Sequence, residues 1–189
     1  MTTSFSGTRD LIDLIRDAHT ETERRFSQLR DANLDQHSRK KLTDRVIADL
    51  VRHSVGEQQV VYPAARRFVD DGDAIAEREI GEHAEAERVM KRLEDLDAAS
   101  PEFDRLVEQL IASVRRHIED QETHLLPALR DACGDDELVQ LGHRMARAKQ
   151  TAPTRPRPGN PDRSPANQIV DRGAGLIDRV RDKVGKHRR

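Results

Sequence analysis

The sequence predicts an all-α protein: two helical hairpins, the second a repeat of the first, then a short fifth helix and a Pro-rich C-terminal tail. Three observations carry this. Charged residues make up 36% and aromatics 3% of the 189 residues, which suits helices better than a sheet rich in aromatic and β-branched side chains. Apolar residues recur three or four apart in long stretches, the period of a buried helical stripe. A shift of 64 positions carries His19, Glu23, His53 and Pro63 onto His83, Glu87, His117 and Pro127, and Leu29 onto Leu93.

The length fits one domain over residues 1–150, a Pro-rich linker over 151–166 and a basic tail over 167–189. Charge divides the same way. Residues 1–150 hold 23 Lys+Arg against 31 Asp+Glu, and residues 151–189 hold 10 against 4. Cys133 is the only cysteine, which excludes an intrachain disulfide, a thiolate zinc site and an iron–sulfur cluster. The N-terminus has no basic and apolar leader, and no apolar run reaches the roughly 20 residues that span a bilayer. A soluble, cytoplasmic protein is the expectation.

The first helix is expected from about Thr8 to Asp31, with Ile12, Ile15, His19, Thr22, Phe26 and Leu29 on its buried face. Asn33 to Ser38 is a polar connection with Ser38 as the expected N-cap. The second helix covers about Arg39 to Val69, and His53 and Glu57 interrupt its stripe of Leu42, Val46, Leu50, Val60, Ala64 and Phe68. Pro63 predicts a kink or widened turn. Gly72 suits a left-handed C-terminal position, and Asp73 the next N-cap. The third helix, about Ala74 to Ala98, carries Ala76, Ile80, His83, Glu87, Met90 and Leu93 on one face. Ser100-Pro101 starts the fourth helix, whose stripe runs Phe103, Leu106, Leu110, Val114, His117, Gln121, Leu125 and Ala128 before Gly134 ends it. A fifth helix from Asp135 to about Lys149 has Leu138, Leu141 and Met145 on its apolar side. Five prolines between 153 and 165 make an extended linker, and Gln168 to Lys186 is either a short basic amphipathic helix or a solvated tail.

The polar residues inside these stripes carry the chemistry. One buried histidine in a bundle is ordinarily a hydrogen-bonded core group. Four of them, one per helix, with Glu57 and Glu87 each one turn from a histidine, point to a metal. Ionised carboxylates cost several kcal/mol to desolvate unless a cation or hydrogen bonds compensate. Imidazole and carboxylate without sulfur suit Fe, Mn or Zn. The competing reading is a structural bundle with four satisfied core histidines. Tyr62, the only tyrosine, is either a core residue at the kink or a phenol near the metal, and His124 is either buried or exposed. No phosphate-binding glycine loop and no nucleophile arrangement competes.

Asp17-Ala-His19, His53-x3-Glu57 with Tyr62-Pro63, Glu82-His83-x3-Glu87, and His117-x4-Glu122 with Leu126-Pro127 resemble the motifs of the hemerythrin-like HHE cation-binding domains, across about residues 8–135. The tail from Gly173 to Asp182 looks like that of actinobacterial members. The resemblance implies a four-helix up-and-down bundle holding two non-haem iron ions with an oxo or hydroxo bridge. It assigns His19 and His53 to one iron, His83, position 87 and His117 to the other, and Glu57 and Glu122 as bridges. Oxygen-carrying members have histidine where this chain has Glu87, and a harder oxygen ligand there favours redox chemistry over reversible carriage. Glu87 can instead partner His83 or face solvent; Glu23, Tyr62 and Gln121 are further candidates for an outer partner or an extra ligand, although the family does not normally take a ligand at the repeat-related Glu23. Many members carry a second acid where this chain has Gln121. In a regular helix Glu122 is rotated by roughly 140° from His117, and a widened turn before Pro127 is what would bring it in.

The expected function is that of a di-iron protein reacting with O2, peroxide or nitric oxide, with catalase-like or antioxidant activity. The alternative is a non-catalytic iron or oxygen storage or sensing module whose basic tail meets a protein partner. The tail lacks interleaved aromatics, so no nucleic acid is expected.

Overall fold

The structure is a computed structural model and describes residues 9–158. The expected basic helix over Gln168 to Lys186 lies outside the described residues. Among those described there are seven α-helical segments and no strand: α1 Leu11–Leu29, α2 Gln36–Gly56, α3 Tyr62–Phe68, α4 Gly72–Asp95, α5 Pro101–Asp120, α6 Leu126–Ala132 and α7 Asp135–Thr151. Two π-turns, Glu57–Val61 and Gln121–Leu125, join α2 to α3 and α5 to α6. Four long helices therefore run up and down, and α7 packs across α1, α2 and the first π-turn.

Local chemistry explains the boundaries. Asp10 caps α1 by accepting from Asp13 N–H, and Ser100 caps α5 ahead of Pro101, as its sequence predicts. The cap of α2 is Asp35 rather than Ser38, whose own N–H and hydroxyl both donate to the Asp35 carboxylate. The left-handed residue before α4 is Asp71 (φ 56°), not Gly72. Gly72 is needed for another reason: a Cβ there would stand 2.0 Å from the Ala65 carbonyl oxygen.

The two π-turns confirm the widening that the prolines predict. A proline cannot donate to the carbonyl four residues back and collides with it. Each helix therefore opens one residue earlier, so that Tyr62 N–H bonds Glu57 O and Leu126 N–H bonds Gln121 O. The extra residue keeps Glu57, Val60, Val61 and Tyr62 all buried on a single helix.

The core falls into two apolar clusters. One gathers Leu11, Ile15, Val61, Leu125 and Leu129 with Leu138, Leu141 and Met145 of α7. The other gathers Phe26, Ile47, Leu93, Phe103, Leu106 and Ile111. Between them, in sequence on every long helix, lies the polar layer of His19, His53, His83 and His117. Beyond α7 the chain does not leave the bundle at once. Ala152, Pro153, Thr154 and Pro156 are buried, and Arg155 pairs with Glu94 at 3.0 Å. The same prolines that deny this stretch a helix fix it as a strap across the bundle surface.

Candidate metal centre

Each histidine reaches the seam because it occupies an inward helical position in a stripe that is otherwise apolar. His19 and His53 form one pair, their ring centroids 5.4 Å apart, and His83 and His117 the other, at 4.7 Å. All four are at most 9% exposed. Glu57, fully buried, stands between the pairs. Its Oε1 is 3.2 Å from His53 Nε2, and its Oε2 is 3.2 Å from His83 Nε2 and 3.9 Å from His117 Nε2. Two groups of ligand atoms close enough for a metal, His19–His53–Glu57 and Glu57–His83–His117, thus share one carboxylate.

The remaining candidate residues fall around this core in different ways. Glu122 is not drawn between the pairs. The widened turn is present but begins at Gln121, so Gln121 is the residue that is fully buried, while Glu122 stays at the rim with its Oε1 2.8 Å from His19 Nδ1. Gln121 Nε2 donates to Glu57 Oε1 at 2.8 Å and to Glu79 Oε2 at 3.1 Å. Tyr62 is buried, with its hydroxyl 3.2 Å from His83 Nε2 and tilted against that ring. Glu87 lies outside the shared groups and accepts from the Arg157 backbone N–H of the strap at 2.8 Å. Glu23 forms a two-pronged ion pair with Arg115, joining α1 to α5 at the surface. His124 is exposed and pairs with Asp120.

Two acids have no role assigned in the sequence argument, although Glu82 stands in one of its motifs. Glu79 is fully buried one turn before His83, and its Oε2 is 3.1 Å from His117 Nδ1. Glu82 accepts from the same His117 Nδ1 at 3.1 Å. The signal for Glu79 was present: it sits four residues from His83 on the same face, where the repeat places Ile15.

Electrostatics separates the rings of His19, His83 and His117. Burial, reinforced by neighbouring His53, lowers His19 to about 4. Burial also lowers His83. For His117 burial acts in the same direction, but bonds to Glu57 and Glu82 and the charges of Glu57 and Glu79 outweigh it and raise it to about 10. Burial works to raise Glu57, yet the surrounding His53, His117 and His83 hold it well below the usual carboxylate range. Glu79 is pushed up, chiefly by burial, and Tyr62 well up, by burial and then by Glu57, Glu79 and Glu82.

The donor set fits bound metal. His19 Nε2, both ring nitrogens of His53, Glu57 Oε2 and Gln121 Oε1 are buried and make no hydrogen bond. Such groups are costly in a core, and nearly all buried polar atoms find partners. Here they cluster, and a cation would satisfy them together. Over the histidines lies a cavity of about 30 Å³, bounded by Thr22, Leu50, Ser54, Met90, Ser113 and Val114.

Comparison with known proteins agrees. The family model for the hemerythrin HHE cation binding domain matches residues 10–129. A hemerythrin-like protein of Schizosaccharomyces pombe is 27% identical over 184 residues, covering 97% of this chain and 90% of its own. A DNA nickase of Nostoc sp. is 27% identical over 137 residues, 72% of this chain, but the match spans only 38% of that protein. The crystal structure of a hemerythrin HHE cation binding domain-containing protein from Mycobacterium kansasii superposes with a TM-score of 0.65, at 18% identity, covering 75% of this chain and 86% of that one. The bundle, its polar layer and the extent of the family match together place this chain in the hemerythrin HHE cation-binding domain family.

Proposed function

We propose that this chain holds two non-haem iron ions and uses them in reactions with O2, peroxide or nitric oxide, with catalase-like, antioxidant chemistry as the leading activity. The observation that carries the reading is Glu57, a fully buried carboxylate shared by two histidine pairs. His19 and His53 would hold one ion and His83 and His117 the other, with Glu57 available to both. Imidazole and carboxylate donors without sulfur match iron, which supplies the one- or two-electron steps that no side chain here provides. Glu122 holds the His19 ring by its Nδ1–H, leaving Nε2 for the metal. Glu87 and Glu23, tied to Arg157 and Arg115, belong to the frame around the centre.

The cavity sets the substrate size. About 30 Å³ is room for one or two molecules the size of water, which suits a diatomic or peroxide ligand. Thr22, Ser54 and Ser113 give a peroxide its hydrogen-bonding partners, while Leu50, Met90 and Val114 keep bulk water out. That largely apolar wall also favours a second reading, a module that stores or senses oxygen or iron without turnover.

Metal analysis with an optical spectrum tests the centre. Two irons per chain are expected after iron-replete expression, and fewer than about half an iron would sink the reading. Rapid peroxide consumption, lost in His53→Ala and Glu57→Ala, supports the enzyme. An absorption band that bleaches reversibly on deoxygenation, without peroxide turnover, supports the sensor.

A further inference from the structure

The repeat that organises the chain breaks at two positions of the polar layer, and the two breaks offset one another. Gln121 stands where the first half has the acid Glu57, and Glu79 stands where the first half has the apolar Ile15. An acid lost from the fourth long helix reappears on the third. The structure brings the two replacements together. The Gln121 amide donates to Glu57 Oε1 at 2.8 Å and to Glu79 Oε2 at 3.1 Å, and the same Glu79 oxygen lies 3.1 Å from His117 Nδ1. Glu79 is fully buried, and besides the His117 ring the cation near it is Arg78, half-exposed with its Nη2 at 3.5 Å. A buried carboxylate is costly to desolvate in a purely structural core. It is useful beside a cation.

We infer that Glu79 is a positioning residue of the metal centre, which holds Glu57 in place through Gln121 and faces His117 Nδ1 so that His117 Nε2 is turned toward the metal. This deepens the two-iron reading and rests on it. On the His83–His117 side, Glu79 and Glu82 both meet His117 Nδ1, whereas on the His19–His53 side Glu122 alone meets His19 Nδ1 and Ile15 occupies the position equivalent to Glu79. Loss of Glu79 should therefore affect one metal ion more than the other. Outer carboxylates of this kind typically contribute 10–100-fold to metal affinity.

The test measures anaerobic Fe(II) binding by competition with a chromophoric chelator, and the thermal midpoint of the metal-free chain, in wild type, Glu79→Gln and Glu79→Asp. Glu79→Gln should weaken one of the two equivalents by about 10–100-fold while the metal-free chain still melts cooperatively, since glutamine keeps the side chain's size and Glu82 remains on His117 Nδ1. Glu79→Asp should recover part of the affinity. Unchanged affinity for both ions in Glu79→Gln, or a variant that no longer folds, would make Glu79 a structural residue and overturn the inference. A wild-type chain that takes up no Fe(II) would instead overturn the two-iron reading itself.

Discussion

His117 and His19 show how far identical side chains diverge within one polar layer. Raised to about 10, His117 carries a proton at neutral pH, whereas His19, lowered to about 4, does not. A metal arriving at pH 8 must displace the His117 proton, so uptake should release about one proton per chain from this ring. Titration calorimetry in buffers of different ionisation enthalpy reads that number directly. In the metal-free chain the two rings bound stability from opposite sides. The His117 contribution is complete below its unfolded value of 6.5 and disappears as pH rises through about 10. The His19 contribution is complete above 6.5 and is lost as pH falls toward about 4. The thermal midpoint of metal-free protein should peak between about pH 6 and 7, and a midpoint still climbing at pH 9 would contradict this assignment. The histidines and Glu57 were legible in sequence because each interrupts an apolar stripe. Glu79 was hidden because Ile80, beside it, also fits the stripe, and one residue is about the width of the ambiguity in a helical face.

At the level of the helices, the two π-turns decide which side chains meet. Each adds one residue to a turn, and everything beyond it rotates by roughly 100° relative to a regular helix. Deleting Gln58 from the first turn should restore regular spacing, collide Pro63 with the carbonyl four residues back, and move either Glu57 or the Tyr62–Ala65 face out of the core. Loss of bound metal and a fall in thermal midpoint of ten degrees or more are expected, measured by metal analysis and circular dichroism melting. A deletion variant that keeps two metals would show that the turn is incidental. Pro63 and Pro127, 64 positions apart, made both widened turns readable in advance. What they did not reveal is the residue at which widening starts. That register leaves Gln121 inside and Glu122 at the rim, and it depends on how Leu125, Leu126 and Leu129 pack across the bundle, which no local pattern encodes.

Across the whole molecule, the polar layer is held from both ends by apolar clusters, and α7 closes one of them. The sequence showed a fifth helix with Leu138, Leu141 and Met145 on one face but not where that face docks. It docks on α1, α2 and the first π-turn, with the Met145 sulfur against Gly56, the residue before Glu57. A Cβ at Gly56 would come within 2.5 Å of that sulfur, so the Met145 side chain would have to shift to admit one. Burying three such side chains contributes about 5–9 kcal/mol, a large share of the about 5–15 kcal/mol that stabilises a typical domain. The strap beyond Thr151 buries only small groups, Ala152, Pro153, Thr154 and Pro156, and lines none of the histidine cavity. Two truncations therefore separate the roles. A chain ending at Thr151 should keep its bound metal and lose only a few degrees of thermal midpoint. A chain ending at Gly134 should lose both iron and cooperative melting, because the turn that presents Glu57 loses its cover. If the shorter chain instead binds two irons and melts cooperatively, the four-helix bundle alone holds the centre, and α7 is dispensable to it.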